Sequence, residues 1–130
     1  MTDEVTAGLH ALGSTVREPL DHVEVFPAPA GVDEVAFTTD ELSSICPVTG
    51  QPDISDLEIR YVPNAHCIES KSLKLYLWRF RNMPVFAEAL AAEIATEVMT
   101  SAAPRSVTVT VTQQPRGGIR LQAISRMGAQ

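Results

Sequence analysis

The sequence predicts an α+β domain in which an antiparallel sheet of four strands carries two helices on one face. Three observations predict it. Apolar and polar residues alternate over 35–39, 55–62 and 107–111, the two-residue period of half-buried strands. Between the second and third of these runs lie two stretches, 70–81 and 86–100, whose apolar residues recur at helical spacing. The resulting order is strand, strand, helix, helix, strand, strand, which suits an antiparallel sheet better than alternating crossover units.

Taken in order, residues 1–19 mix charge with Ala, Gly and Thr without a period, and read as a loosely held arm of about 20 residues. Residues 22–26 alternate like a short strand, which Pro27, Pro29 and Gly31 end. Residues 35–39 form the first main strand, and 40–45 lead into a turn-rich loop. Residues 55–62 form the second, with Leu57, Ile59 and Tyr61 on one face and Glu58 and Arg60 on the other. A turn is expected over 64–66, after Pro63. Residues 70–81 make an amphipathic helix with Leu73, Leu77 and Phe80 near one stripe and Lys71, Lys74 and Arg79 as its basic members. Residues 82–84 break it, and the Ala-rich run 86–100 has high helix propensity. Val107, Val109 and Val111 alternate with threonines, and residues 119–124 return after a five-residue turn at 114–118.

At 130 residues the chain is one domain, spanning 1–130, with room for a single core but little to spare for enclosing two ligands. A site shared between subunits would remove that limit. The net charge of -6 argues against gripping a nucleic-acid backbone, which draws on clustered Lys and Arg. A small-molecule partner fits better. No signal peptide or long apolar run is visible, so Cys46 and Cys67 are expected as reduced thiols in the cytoplasm, with no membrane contact. Cys67 reads as a small core or site-wall residue. No metal site is expected, and no GxGxxG follows a strand, so a Rossmann cofactor site is not supported.

The stretch Cys46-Pro47-Val48-Thr49-Gly50-Gln51-Pro52-Asp53 places a thiol and a carboxyl seven residues apart across a segment that Pro47, Gly50 and Pro52 keep from becoming a helix. A chain doubling back there brings both groups to one small substrate. A thiolate is a strong nucleophile, and an aspartic acid supplies the proton that addition to a polar multiple bond needs. The bland alternatives are a buried small hydrophobe for Cys46 and a turn-forming residue for Asp53.

This octapeptide, followed by Ile68-Glu69-Ser70-Lys71-Ser72-Leu73-Lys74-Leu75-Tyr76 and by Pro115-Arg116-Gly117-Gly118-Ile119, resembles the nitrile reductases that convert 7-cyano-7-deazaguanine to its aminomethyl product on the route to queuosine. The likeness covers residues 41–119. It implies the tunnelling fold, whose sheets join around a ring with active sites at subunit boundaries, and a homo-oligomer of two stacked pentameric rings. It implies Cys46 as the nucleophile that forms a thioimide and Asp53 as the proton donor. Ile68, Glu69 and Ser70 would contact the deazaguanine, and Glu88 would hold its guanine-like edge, since a carboxylate accepts two hydrogen bonds at once. NADPH is the implied cofactor, with Lys71, Lys74 and Arg116 as candidates for its phosphates. A solvated helix face is the plain reading of the lysines and of Glu88, and a helix start that of Glu69.

One position departs from the pattern. The family has a histidine before the substrate glutamate, expected to bond the pyrimidinone oxygen, and this chain has Ala87. A lost hydrogen bond to a buried polar group costs about 1–3 kcal/mol. Either water or His66 substitutes, or the preferred 7-cyano-7-deazapurine differs at its six position. Two other classes stay open: an amidinotransferase-like relative that adds ammonia to the nitrile, and a binder of purine-like ligands without catalysis.

Overall fold

Strand β1 (Val25–Pro27) is the first element among the described residues of the computed structural model, which are residue 9 and residues 17–130. β2 (Val35–Ile45), β3 (Pro52–Val62) and β4 (His66–Ile68) follow, then helices α1 (Ser70–Trp78) and α2 (Ala87–Ala102) with a 3-10 turn, Arg79–Asn82, between them. β5 (Ser106–Gln113) and β6 (Gln122–Gly128) close the chain. The main sheet runs β2-β3-β5-β6, antiparallel throughout, and β1 pairs with β4 in a small separate ladder. The expected α+β plan is present, with both helices on one face.

That arrangement follows from the side-chain pattern. Leu57, Ile59 and Tyr61 of β3 and Val107, Val109 and Val111 of β5 are all at most 3% exposed, and they meet Leu90, Ala91, Ile94, Ala95 and Val98 of α2 in one core. Each large apolar side chain buried there contributes roughly 1.5–3 kcal/mol. Ala91 and Ala95 sit on the same stripe, and their small size lets the helix lie close to the sheet. α2 ends where Ala103 adopts a left-handed φ of 45° and Pro104 blocks continuation.

Several boundaries differ from the sequence reading, each for a physical reason. β2 continues to Ile45 because a bulge between Thr39 and Leu42 changes which residues face inward, Val35 and Phe37 before it and Leu42 and Ser44 after it. The two-residue period breaks there, so the reading stopped at Thr39. β3 begins at Pro52, a first strand position where a missing N–H is tolerated. The early strand lies at Val25–Pro27 rather than over 22–26, and His66, expected in a turn, is the first residue of β4. β6 starts at Gln122 and runs to Gly128, because Gly117 and Gly118 close a tight turn within the connection and leave Ile119 outside the ladder, 74% exposed. Most of the expected N-terminal arm lies outside the described residues. Just after it, Leu20 packs against Leu75 and Trp78.

Candidate active site

Cys46 follows the last residue of β2, at the mouth of the β2–β3 hairpin. Its N–H donates to the Gln51 carbonyl at 2.8 Å, and the Gly50 N–H returns to the Cys46 carbonyl at 2.9 Å. Gly50 closes this turn at a φ of +73°, which a Cβ would strain. The turn aims three donors at the sulfur: the Thr49 hydroxyl, the Thr49 N–H and the Val48 N–H. Together they hold the half-buried Cys46 thiol below its ordinary pKa, with the Thr49 hydroxyl the largest influence, while burial and the nearby Asp53 carboxylate oppose them. Thr49 went unnoticed in the sequence. Its place three residues after the cysteine in a Pro- and Gly-bounded turn was the available signal, because such hydroxyls bond locally.

Asp53 lies on β3 directly opposite Ser44, and Cys46 is two residues on from Ser44. The thiol and the carboxyl are therefore diagonal neighbours on one face of the hairpin, about 7–8 Å apart at their Cα positions. Asp53 is 7% exposed and takes a salt bridge of 3.0 Å from Arg116.

The start of α2 belongs to this same end of the molecule. Ile45 donates to the Met83 carbonyl at 3.0 Å and accepts from the Val85 N–H at 3.2 Å, which fixes the residues leading into α2 beside the nucleophile turn. Glu88 stands exposed in the first turn of α2, whereas Ala87 is 1% exposed and packed into the core. Val48 and Phe86, respectively 79% and 55% exposed, and Ile119 on the turn that reaches the hairpin make this end apolar at its rim.

Ile68, Glu69 and Ser70 gather elsewhere, around an open cavity of about 430 Å³ walled by Phe26, Val35, Phe37, Tyr61 and Cys67. Its size and apolar walls suit a planar heterocycle. The Tyr61 hydroxyl accepts from the Ile68 N–H at 2.8 Å, and burial pushes this phenol up to about 12. Glu69 caps α1, its two carboxylate oxygens accepting the Lys71 and Ser72 N–H groups at 2.8 Å each. The helix-start reading of Glu69 holds, and further lone pairs on the carboxylate remain able to accept from a ligand. Ser72, fully buried, donates to the Glu69 carbonyl and accepts from the Glu24 N–H, both at 2.8 Å. Cys67 is a buried wall of the cavity and a free thiol. His66 is exposed opposite Pro27 and does not line the cavity. Lys74, exposed, borders a smaller hollow of about 160 Å³ that shares Ser70 and Phe37 with the first, and Lys71 is half-buried one turn earlier.

The two clusters do not meet within one protomer. The cavity is walled by Val35 and Phe37 near the start of β2, and Cys46 follows its end; at about 3.3 Å per residue the separation is on the order of 30 Å. A third and larger hollow, about 670 Å³, lies on the sheet face away from the helices among Thr38, Asp40, Asp56 and Thr110. It contains none of the expected site residues. No helix among the described residues is long and apolar enough to cross a membrane.

A family model described as QueF-like protein matches residues 52–130. The chain belongs to the QueF-like family. Among similar proteins, one from Anaeromyxobacter sp. (strain K) is 40% identical over 113 residues, 85% of this chain and 93% of its own, and is named NADPH-dependent 7-cyano-7-deazaguanine reductase. Proteins of the same name from Granulibacter bethesdensis and Sinorhizobium medicae are 37% and 38% identical, covering 95% and 99% of this chain and 84% and 88% of their own lengths. Among solved structures, the apo form of an archaeosine synthase QueF-Like aligns with a TM-score of 0.71 over 75% of this chain and 96% of that one. At 21% identity that likeness speaks for the fold alone. The QueF-like match begins at Pro52, so Asp53, the cavity segment, Glu88 and Arg116 all lie inside it.

Proposed function

We propose that this QueF-like protein is an NADPH-dependent 7-cyano-7-deazaguanine reductase, carrying nitrile to aminomethyl in queuosine biosynthesis. The observation that carries the reading is the β2–β3 hairpin. It sets a thiol depressed by three donors beside a carboxyl on the same face, in a chain whose relatives bear that name.

In the mechanism, Cys46 Sγ adds to the nitrile carbon, forming a C–S bond. The proton given up by the thiol passes to the nitrogen through Asp53, leaving a thioimide. The Thr49 turn favours the thiolate over the thiol for the attack and stabilises it again when the C–S bond breaks. Ile68, Glu69 and Ser70 seat the deazapurine, and Glu88 holds its amine and ring N–H. NADPH, when bound, supplies hydride to the former nitrile carbon, and the four-electron change takes two of them. Lys74, exposed beside the smaller hollow that adjoins the cavity, and Lys71, three residues earlier on α1, suit its phosphates as cationic side chains.

The separation of the clusters, on the order of 30 Å at about 3.3 Å per strand residue, supports a joint working site. The cavity of one protomer receives the Cys46 hairpin and Glu88 of its neighbour. The apolar rim at Val48, Phe86 and Ile119 fits a covered surface, since exposed apolar clusters of this kind mark contact sites. The edges of the main sheet, β2 and β6, join neighbours around a pentameric ring and close the tunnel, and two rings stack as a decamer. The enzyme works in the cytoplasm without direct contact with nucleic acid or membrane. The buried Ala87 offers the pocket no polar atom, which favours a second reading: a related 7-cyano-7-deazapurine altered at the six position is the better substrate.

Intact mass after mixing with 7-cyano-7-deazaguanine, without cofactor, is expected to rise by one substrate per chain, and Cys46→Ala to gain nothing. NADPH absorbance then falls by two equivalents per nitrile. Amidine formed from ammonia without NADPH, or the absence of any adduct, would sink the reductase reading.

A further inference from the structure

The connection between β5 and β6 carries a second small hairpin. Arg116 and Ile119 exchange backbone hydrogen bonds of 2.9 and 3.0 Å across Gly117 and Gly118, whose φ values are +57° and +78°. Positive φ at both central residues is the signature of the tightest hairpin turn, which glycine adopts without strain. Just before it, the Gln114 N–H donates to the Ile54 carbonyl at 2.9 Å and ties this connection to β3. The turn is thereby fixed so that Arg116 lies over the mouth of the β2–β3 hairpin.

There its guanidinium spans three acceptors. Nη2 meets Asp53 Oδ1 at 3.0 Å and the Pro52 carbonyl, and Nη1 meets Gln51 Oε1 at 3.3 Å. We infer that Arg116 is a positioning residue for the proton donor, which presents one chosen oxygen of Asp53 to the substrate. This rests on the nitrile-reductase reading and deepens it. With Oδ1 facing a guanidinium N–H, a proton placed on that oxygen would set donor against donor. The transferable proton therefore rides on Oδ2. The same fork ties Gln51 at the end of the turn to Pro52 and Asp53, the first two residues of β3, so thiol and acid keep a fixed relation although the turn between them is exposed. A planar fork holds three acceptors at once, which a lysine ammonium on a flexible stem does not. The cofactor-phosphate role expected for Arg116 from the family likeness is a different role, and the two separate experimentally because thioimide formation consumes no NADPH.

The test is the rate of adduct formation by full-length protein with 7-cyano-7-deazaguanine, followed by intact mass across pH without cofactor, alongside NADPH titration of the same samples. Arg116→Ala is expected to form the adduct about ten to a hundred times more slowly, the scale of losing alignment at a reacting centre, with an altered pH profile and unchanged NADPH affinity. Arg116→Lys should recover only part of the rate. If both variants form adduct at the wild-type rate and pH profile, and only NADPH binding weakens, Arg116 belongs to the cofactor and the inference fails. Wild-type protein that forms no adduct overturns the reductase reading itself. Melting curves identify an unfolded Ala variant, in which case the charge-conserving Lys variant decides.

Discussion

The two ends of β2 solve different problems. At the Cys46 end the backbone is almost all turn, the sulfur is half-buried, and Thr49, Arg116 and two short connections set the geometry. At the Glu69 end a helix cap, a strand ladder and Tyr61 fix a concave wall, with Glu69 and Ser72 among the most buried polar residues. The contrast teaches how a small protein divides labour. Under the proposed function, the reacting group sits where partners can be brought against it, and the binding wall sits where the core can stiffen it.

Substitutions at either end sharpen the contrast, because changes this far apart act independently. The largest effect is expected from Glu69→Ala, which removes the α1 cap and, under the proposed function, a ligand contact. It should lower stability by about 1 kcal/mol by chemical denaturation, raise KM at least about tenfold, and leave Cys46 alkylation unchanged. Altered thiol reactivity in that variant would break the division. Thr49→Val comes next. Removing the hydroxyl raises the thiol pKa, so the alkaline-rising limb of Cys46 alkylation by iodoacetamide should move to higher pH. The rate near neutrality then falls several-fold and converges with wild type well above both pKa values. An unmoved limb would mean the backbone donors suffice. Smallest is Ala103→Gly, remote from both ends, where relief of left-handed strain outweighs added unfolded-state freedom. Stability should rise by at most about 1 kcal/mol, with kinetics untouched.

The parts visible in the sequence were those with a local cause. Val107, Val109 and Val111 announce a strand by their own alternation, and Pro47, Gly50 and Pro52 announce a turn between thiol and acid. The bulge that lengthens β2 was hidden because it breaks the very period by which strands are read. Thr49 was hidden because its bond to sulfur depends on how the turn closes. Arg116 was assigned by charge, and only tertiary structure brings it 63 positions back along the chain to Asp53. A site shared between subunits was raised by the chain's small size and by the family likeness, but the separation of Glu69 from Cys46 by the eleven-residue β2 had no mark of its own in the sequence.

The central claim is that each working site takes its sulfur from one protomer and its binding wall from another. Cys46→Ala, which lacks the nucleophile, and Glu69→Ala, slowed at limiting substrate by its raised KM, should therefore be unfolded together, refolded at equal ratio and assayed for NADPH-dependent nitrile reduction at limiting substrate. Random assembly leaves about a quarter of joint sites with both native residues, so about a quarter of wild-type activity should return. Activity no higher than the sum of the two variants refolded separately would contradict the shared site.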